Sequence, residues 1–485
     1  MEWIESDELV HPADEGEWDE LRDKYAAEDD PLDQVLRIAR EGGCRTVVVE
    51  NRYVDLDYRS EFSAFWSKKF ERLAPFARRL HFFASDVAED QLHNLSEPVA
   101  QSYLGYSILR PIPHGRVGRT VVKPPPSLDR ATLTAITDEV SLYGNLLKVT
   151  GVPFCQQDVE FLRCAQAAAW ICHYVAERKG QVGRQTTASI VEATPSFLSH
   201  ERALPSKGMN LHQLQAVFSE LEQPALLYSV DDLPPVRGVT NPSPALDANH
   251  EIQPHGYWDT RIISVICRYL NSGFPVLVTG GGHAFVIVGW FRDGPDQIKF
   301  IACDDQIGPY ELIESPFTHY RAPWEHIMVP LPPKVYLSGE SAESRAYQVF
   351  RGAAVGSSAL KAMADALQGG GLQLRSSLKE GRKFKLEVAD QTASDDTLRI
   401  LRRARLPHWV WLIEAHDVSA CHVGDPCVYA AAIYDTTSFD KSRAPGTGLC
   451  ALSLPGGVAV YPPDAEHAES VPGGPAPWRS MLRAH

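Results

Sequence analysis

Cysteine is scarce in this chain. Nine cysteines in 485 residues are too few, and an odd number, for a disulfide-stapled scaffold, and a reducing compartment is the natural expectation. A targeting signature is lacking as well: Glu2, Glu5, Asp7 and Glu8 stand where a basic segment and an apolar core would open a secretory signal. Long apolar runs are few. The longest stretch without charge, Phe274–Phe291, carries Gly280-Gly281-Gly282-His283 in its middle with strand-like runs on both sides, so it reads as a buried β-hairpin and not as a membrane span. Positive charge is in deficit. Against 62 Asp and Glu stand only 47 Lys and Arg, a net −15, which argues against nucleic acid or an anionic membrane as partner. Glycine-rich phosphate loops, dinucleotide fingerprints and internal repeats are missing too, so no cofactor is implied. These absences describe a soluble, cytoplasmic protein whose oligomeric state the sequence leaves open.

What is present divides into blocks. Residues 1–31 hold thirteen acids and two bases, the composition of a flexible, solvated arm. Residues 32–150 read as an N-terminal α/β domain: a short helix near Leu32–Arg40, a buried strand at Thr46–Glu50, and a long helix after Tyr58. In that helix Phe62, Phe65, Trp66, Phe70, Leu73 and Phe76 recur as one apolar stripe, a core face. Paired strands at Leu104–Arg110 and Gly118–Lys123 follow, and Lys123-Pro124-Pro125-Pro126 suits a rigid connector. Residues 151–335 alternate more legibly. Helices are expected from Arg163–Cys164 to Lys179-Gly180, over Thr187–Glu192 and over Leu211–Leu221 behind an Asn210 cap. A strand at Ala225–Val230 precedes a proline-rich loop over 231–258, long enough to be a lid. A helix over Trp258–Asn271 then leads to antiparallel strands at Pro275–Thr279, His283–Trp290 and Gln297–Cys303. Residues 336–485 read as a C-terminal α+β domain ending in a disordered tail rich in Pro, Gly and Ala.

Three segments carry reactive groups. Cys164 opens an alanine-rich helix behind a loop containing Gln156 and Gln157. A thiol there meets the positive end of the helix dipole and free N–H groups, which favour thiolate; alone, it would more often be a small buried hydrophobe. His283 follows three glycines at the mouth of an apolar strand. Asp304 and Asp305 end the next strand, where hairpin pairing brings a carboxylate beside the imidazole. Strand periodicity leaves open which of the two faces the ring, and turn initiation is the plain alternative for either.

This order of glutamine loop, cysteine-headed helix, Gly-rich turn with His and strand ending in Asp resembles the papain-like cysteine peptidases, most of all the bacterial double-glycine leader peptidase branch. The resemblance is carried by Cys164-Ala165, Gly282-His283-Ala284-Phe285-Val286-Ile287-Val288-Gly289 and Asp304, and covers the middle third of the chain. It implies Cys164 as nucleophile, His283 as general base and acid, and Asp304 (or Asp305) as the orienting residue, with a protein or peptide as substrate. Relatives place an oxyanion-binding glutamine six residues before the cysteine. Here that position is Asp158; Gln157 is seven before and Gln156 eight. A one-residue insertion would seat Gln157. The expected fold is therefore α+β, a papain-like domain with its cysteine-bearing helix packed on an antiparallel sheet, flanked by the other two domains. Transglutaminase, deamidase or acyltransferase chemistry uses the same groups, and a non-catalytic papain-fold binding module is the alternative from another class.

Other tempting signals carry less. His250 and His255 are five apart with Pro254 between them, which defeats the one-face geometry of a zinc helix. Cys421, His422 and Cys427 have unhelpful spacing for zinc. Cys172 and His173 project about 100° apart on their helix. No metal is expected.

Overall fold

The structure is a computed structural model that describes residues 7–25, 31–194, 208–233, 260–292, 298–313, 323–353, 357–389, 395–417, 426–438, 445–463, 468–472 and 478–479. Most of the 231–258 loop, the His250/His255 pair, Cys421, His422 and the last residues lie outside these ranges. The chain divides into two compact units: Met1–Asp231 with Gly273–Pro332, and Asp232–Ser272 with Pro333–His485. Both are mixed α+β with antiparallel sheets.

The first unit contains strands β1 (Glu8–Val10), β2 (Thr46–Tyr53), β3 (Ala77–Phe83), β4 (Tyr103–Leu109), β5 (Val117–Val122), β6 (Thr132–Leu133), β7 (Ile136–Leu142) and β8 (Asn145–Phe154). Six more follow: β9 (Ala225–Ser229), β10 (Val276–Gly280), β11 (His283–Arg292), β12 (Ile298–Asp304), β13 (Gly308–Ile313) and β14 (His326–Pro330). Its helices are α1 (Glu15–Tyr25), α2 (Pro31–Glu41), α3 (Leu56–Ala64), α4 (Glu97–Gln101), α5 (Cys164–Arg178), α6 (Thr187–Glu192) and α7 (Leu211–Glu220). One sheet runs β1-β2-β3-β4-β5-β8-β7 and the other β13-β12-β11-β10-β14-β9, with β6 paired to β11. The Tyr310 hydroxyl of β13 stitches the two sheets together, donating to the Val122 carbonyl at 2.7 Å and accepting from the Val152 N–H at 3.0 Å. One hydrophobic core runs from Leu32 and Val47 to Val286 and Met328. This shared core is why residues 32–150 and the region around the reactive segments fold as one unit, where the sequence suggested two domains.

Three expectations are corrected here. The N-terminal sheet is antiparallel throughout, so the α/β reading of residues 32–150 gives way to α+β. The acidic segment is not a free arm over its described residues. Glu8–Val10 pairs with Val47–Val49, and α1 buries Trp18, Leu21 and Tyr25: a spacing of three and four keeps these apolar groups on one face while the acids stay solvated. The helix after Tyr58 stops at Ala64. Phe65 and Trp66 turn inward instead, onto Phe161 (ring centroids 4.7 and 4.8 Å away), and Phe70 is left fully exposed.

The second unit holds helices α8 (Thr260–Asn271), α9 (Gly339–Gly352), α10 (Ser358–Gln368), α11 (Gly381–Ala389) and α12 (Asp395–Arg403). Its sheet takes strands β15 (Leu372–Glu380), β16 (Trp409–Asp417), β17 (Pro426–Asp435), β18 (Leu449–Leu454), β19 (Gly457–Val460) and β20 (Glu469–Pro472) in sequential order, with β21 (Trp478–Arg479) on β17. Buried Arg268 of α8 is held there by Glu340 at 2.8 Å and Glu343 at 2.8 Å.

Candidate active site

Helix α5 begins at Cys164 behind Arg163, whose N–H donates to the Gln166 side chain at 2.8 Å. Cys164 thus sits in the first turn, where backbone N–H groups have no helical acceptor and the dipole is positive. The small residues that follow, Ala165, Ala167, Ala168 and Ala169, are all buried and let α5 pack on β8, β10 and β11. Cys164 itself is half-buried and takes part in no disulfide.

His283 reaches the same place from the sheet. Gly280 pairs with His283, which leaves Gly281 and Gly282 as a two-residue hairpin turn with φ +60° and +78°. Two successive left-handed residues match the twist of a hairpin and favour glycine at both places. The turn sets His283 as the first residue of β11. Its neighbour β12 pairs Cys303 with Val286; one step further places Asp304 opposite Phe285, on the face shared by His283 two residues away. Parity therefore directs Asp304 to the imidazole; Asp305 lies just beyond the strand's end, where alternation no longer applies.

The side chains follow that register. His283 Nε2 lies 3.2 and 3.1 Å from the two oxygens of Asp304, and Gln306 Nε2 is 3.3 Å from Nδ1. Asp304 is fully buried and its Oδ1 also accepts the Gln306 N–H at 2.9 Å. Asp305 Oδ1 is 3.6 Å from Nε2, and neither Asp305 oxygen has a hydrogen-bond partner. Burial opposes charge on His283, yet the hydrogen bonds with Asp304 and with the Cys164 thiol, joined by the charges of Asp304 and Asp305, outweigh it and raise the imidazole to about 10. Burial and the neighbouring Asp304 push Asp305 up to about 7, against the pull of His283. Cys164, His283 and Asp304 are thus brought together, with Asp305 at the margin.

The glutamine loop is held from several sides. Gln156 is tied to β5: its N–H donates to the Val117 carbonyl at 2.9 Å, and its side-chain oxygen accepts the Val117 N–H at 3.0 Å. That engagement fixes the Gln156 oxygen on Val117 and leaves its side-chain NH2 as the group that could donate. Asp158 turns inward, its Oδ1 accepting the N–H groups of Glu160, Phe161 and Leu162 at 2.9, 2.7 and 3.0 Å. Its N–H closes the loop on the Leu162 carbonyl at 2.9 Å. Val159, at the bend, has φ +70°, a strained value for a β-branched residue. Gln157 is half-buried between these two anchored neighbours.

His283, Asp304 and Asp305 also form a trio of metal-capable donors within 4.8 Å of one another, a set to which a divalent cation is chemically suited. His173 is a structural histidine, bound to Gln223 at 2.6 Å and the Gly183 carbonyl at 2.9 Å. Sequence reasoning missed Gln306, Arg110 and Glu61. Gln306 follows from the hairpin register; Arg110 and Glu61 meet across 49 residues and leave no local signal.

Among the described residues, no helix is long and apolar enough to cross a membrane. No family model matches the chain, and no curated protein does. Among solved structures, the chain is similar to UfSP from C. elegans at 16% identity and a TM-score of 0.23, over 38% of this chain and 34% of the other. The chain thus spans about a third of that protein's length.

Proposed function

We propose that the chain is a papain-like cysteine peptidase that hydrolyses a protein or peptide in a reducing compartment. The observation that carries this reading is the His283 imidazole, hydrogen-bonded to the buried Asp304 carboxylate and near enough to the Cys164 thiol, at a helix N-terminus, for that thiol to help raise it. With Nε2 given to Asp304, Nδ1, beside the Gln306 amide at 3.3 Å, is the nitrogen left to take the thiol proton. Cys164 passes its proton to His283 and the thiolate attacks the scissile carbonyl carbon. The oxyanion is held by the Cys164 N–H and the Gln157 amide. Imidazolium then protonates the leaving amine, and water, deprotonated by His283, releases the acyl group as a carboxylate. Asp304 holds the ring's tautomer and steadies its charge. No metal or cofactor enters the scheme; a cation on the His283, Asp304 and Asp305 donors would take the Nε2 position from Asp304.

Mass spectrometry of a peptide mixture incubated with the protein tests the proposal. The expected result is chain breaks with one water added, abolished by Cys164→Ser in a protein that still folds. A gain of about one dalton at glutamine or a crosslink would assign deamidase or transferase chemistry, and products that persist in Cys164→Ser would remove the thiol from the reaction.

A further inference from the structure

A buried ion pair outside the Cys164, His283 and Asp304 cluster reaches the glutamine loop. Arg110, at the end of β4, is buried, and its Nη1 donates to both oxygens of Glu61 at 3.0 and 3.1 Å. Its Nη2 donates to the carbonyl of Gly115 and, at 2.7 Å, to that of Gln156. Glu61 is itself fixed, accepting the Thr187 hydroxyl at 2.6 Å. Gly115 has φ +68°, and a Cβ there would run into the carbonyl oxygen of Gln157. The backbone on the near side of Gln157 is therefore pinned by Arg110 and pressed against a glycine. The far side is pinned by the Asp158 nest and by Phe161, wedged between Phe65 and Trp66. Guanidinium suits this task because its planar fork serves a carboxylate on one edge and two carbonyls on the other, a division a single ammonium does not reproduce.

We infer that Arg110, braced by Glu61, is a positioning residue that holds the Gln157 loop against Gly115 and so aims the Gln157 amide at the developing oxyanion. This rests on the peptidase reading above and adds to it a residue that touches neither substrate nor thiol.

Two reactions at Cys164 separate the inference from that reading. Acylation by p-nitrophenyl acetate forms a sulfur–carbon bond through a tetrahedral oxyanion and expels p-nitrophenolate. Alkylation by iodoacetamide displaces iodide and forms no oxyanion. Gln157→Ala is expected to slow acylation about 100-fold. Arg110→Lys should slow it about tenfold, with alkylation in both variants within twofold of wild type. In the double variant acylation should match Gln157→Ala alone, because Arg110 acts through that side chain. Gly115→Ala displaces the same loop without changing charge; it should reproduce the Arg110→Lys result and carries the test if Arg110→Lys does not fold. Multiplying effects in the double variant, or acylation and alkylation falling by the same factor, would overturn the inference. A wild-type protein in which Cys164 is not labelled ahead of the other cysteines would remove the peptidase reading itself.

Discussion

Replacing Asp304 by Asn keeps the side chain's size and one acceptor oxygen while removing its charge. The consequence falls on His283, which sits raised from 6.5 to about 10. At about 1.4 kcal/mol per pH unit, that rise amounts to about 5 kcal/mol in favour of imidazolium, gained although burial works against it. Asp304 supplies both a hydrogen bond and a charge at 3.1 Å, and the Cys164 thiol supplies the other hydrogen bond. Assigning Asp304 somewhat over half of the gain, Asp304→Asn should lower the imidazole by about 2 pH units, or ~3 kcal/mol. Asp305 acts through charge alone, from 3.6 Å, so Asp305→Asn should lower it by less than about 1 unit. An NMR titration of the histidine ring resonances, assigned with His283→Gln, reads both values. Stability offers a second readout. A folded-state value above the unfolded one contributes stability in full below about pH 6.5 and loses it as pH rises toward 10. The gap in Tm between wild type and Asp304→Asn should therefore be widest below pH 6.5 and narrow toward pH 10. A wild-type His283 that titrates near 6.5, or an Asp305→Asn effect larger than that of Asp304→Asn, would refute the reasoning.

Two further outcomes concern the scaffold. Trp18 is 8% exposed on a helix that composition alone would leave in solvent; Trp18→Ala should cost about 3 kcal/mol in denaturant unfolding, whereas no change would return residues 7–25 to the status of an arm. Val159 is half-exposed with φ +70°. Val159→Asn, which tolerates that backbone better, should raise stability by about 1 kcal/mol, and a lower Tm would show that the valine side chain contributes more than the strain costs.

Local signals made the region around Cys164 readable from sequence. The alanine run and Gly180 frame α5, Asn210 caps α7 through the Gln213 N–H, and the paired glycines mark the turn before His283. Each depends on short-range chemistry. The choice between Asp304 and Asp305 was not readable because it depends on the pairing of Cys303 with Val286, a register that no single strand encodes. Tertiary contacts overrode the local pattern elsewhere. The stripe from Phe62 to Phe76 has helical spacing, yet Phe65 and Trp66 leave the helix to pack on Phe161. The acidic composition of residues 7–25 concealed the apolar face of Trp18, Leu21 and Tyr25. The domain boundary that the sequence suggests near residue 150 falls within β8, whose Val152 is joined to the second sheet by Tyr310. Glu61 and Arg110 lie on separate elements, and only the folded chain brings them to the glutamine loop.

The central claim is that Cys164 and His283 act as one chemical unit. Its most direct measurement is the rate of iodoacetamide alkylation at each of the nine cysteines, resolved by peptide mass spectrometry at pH 6, in wild type and in His283→Ala. The account expects Cys164 to react at least tenfold faster than the other thiols in wild type and to lose that lead in His283→Ala. Equal labelling of the accessible cysteines, or a lead that survives the loss of the imidazole, would contradict it.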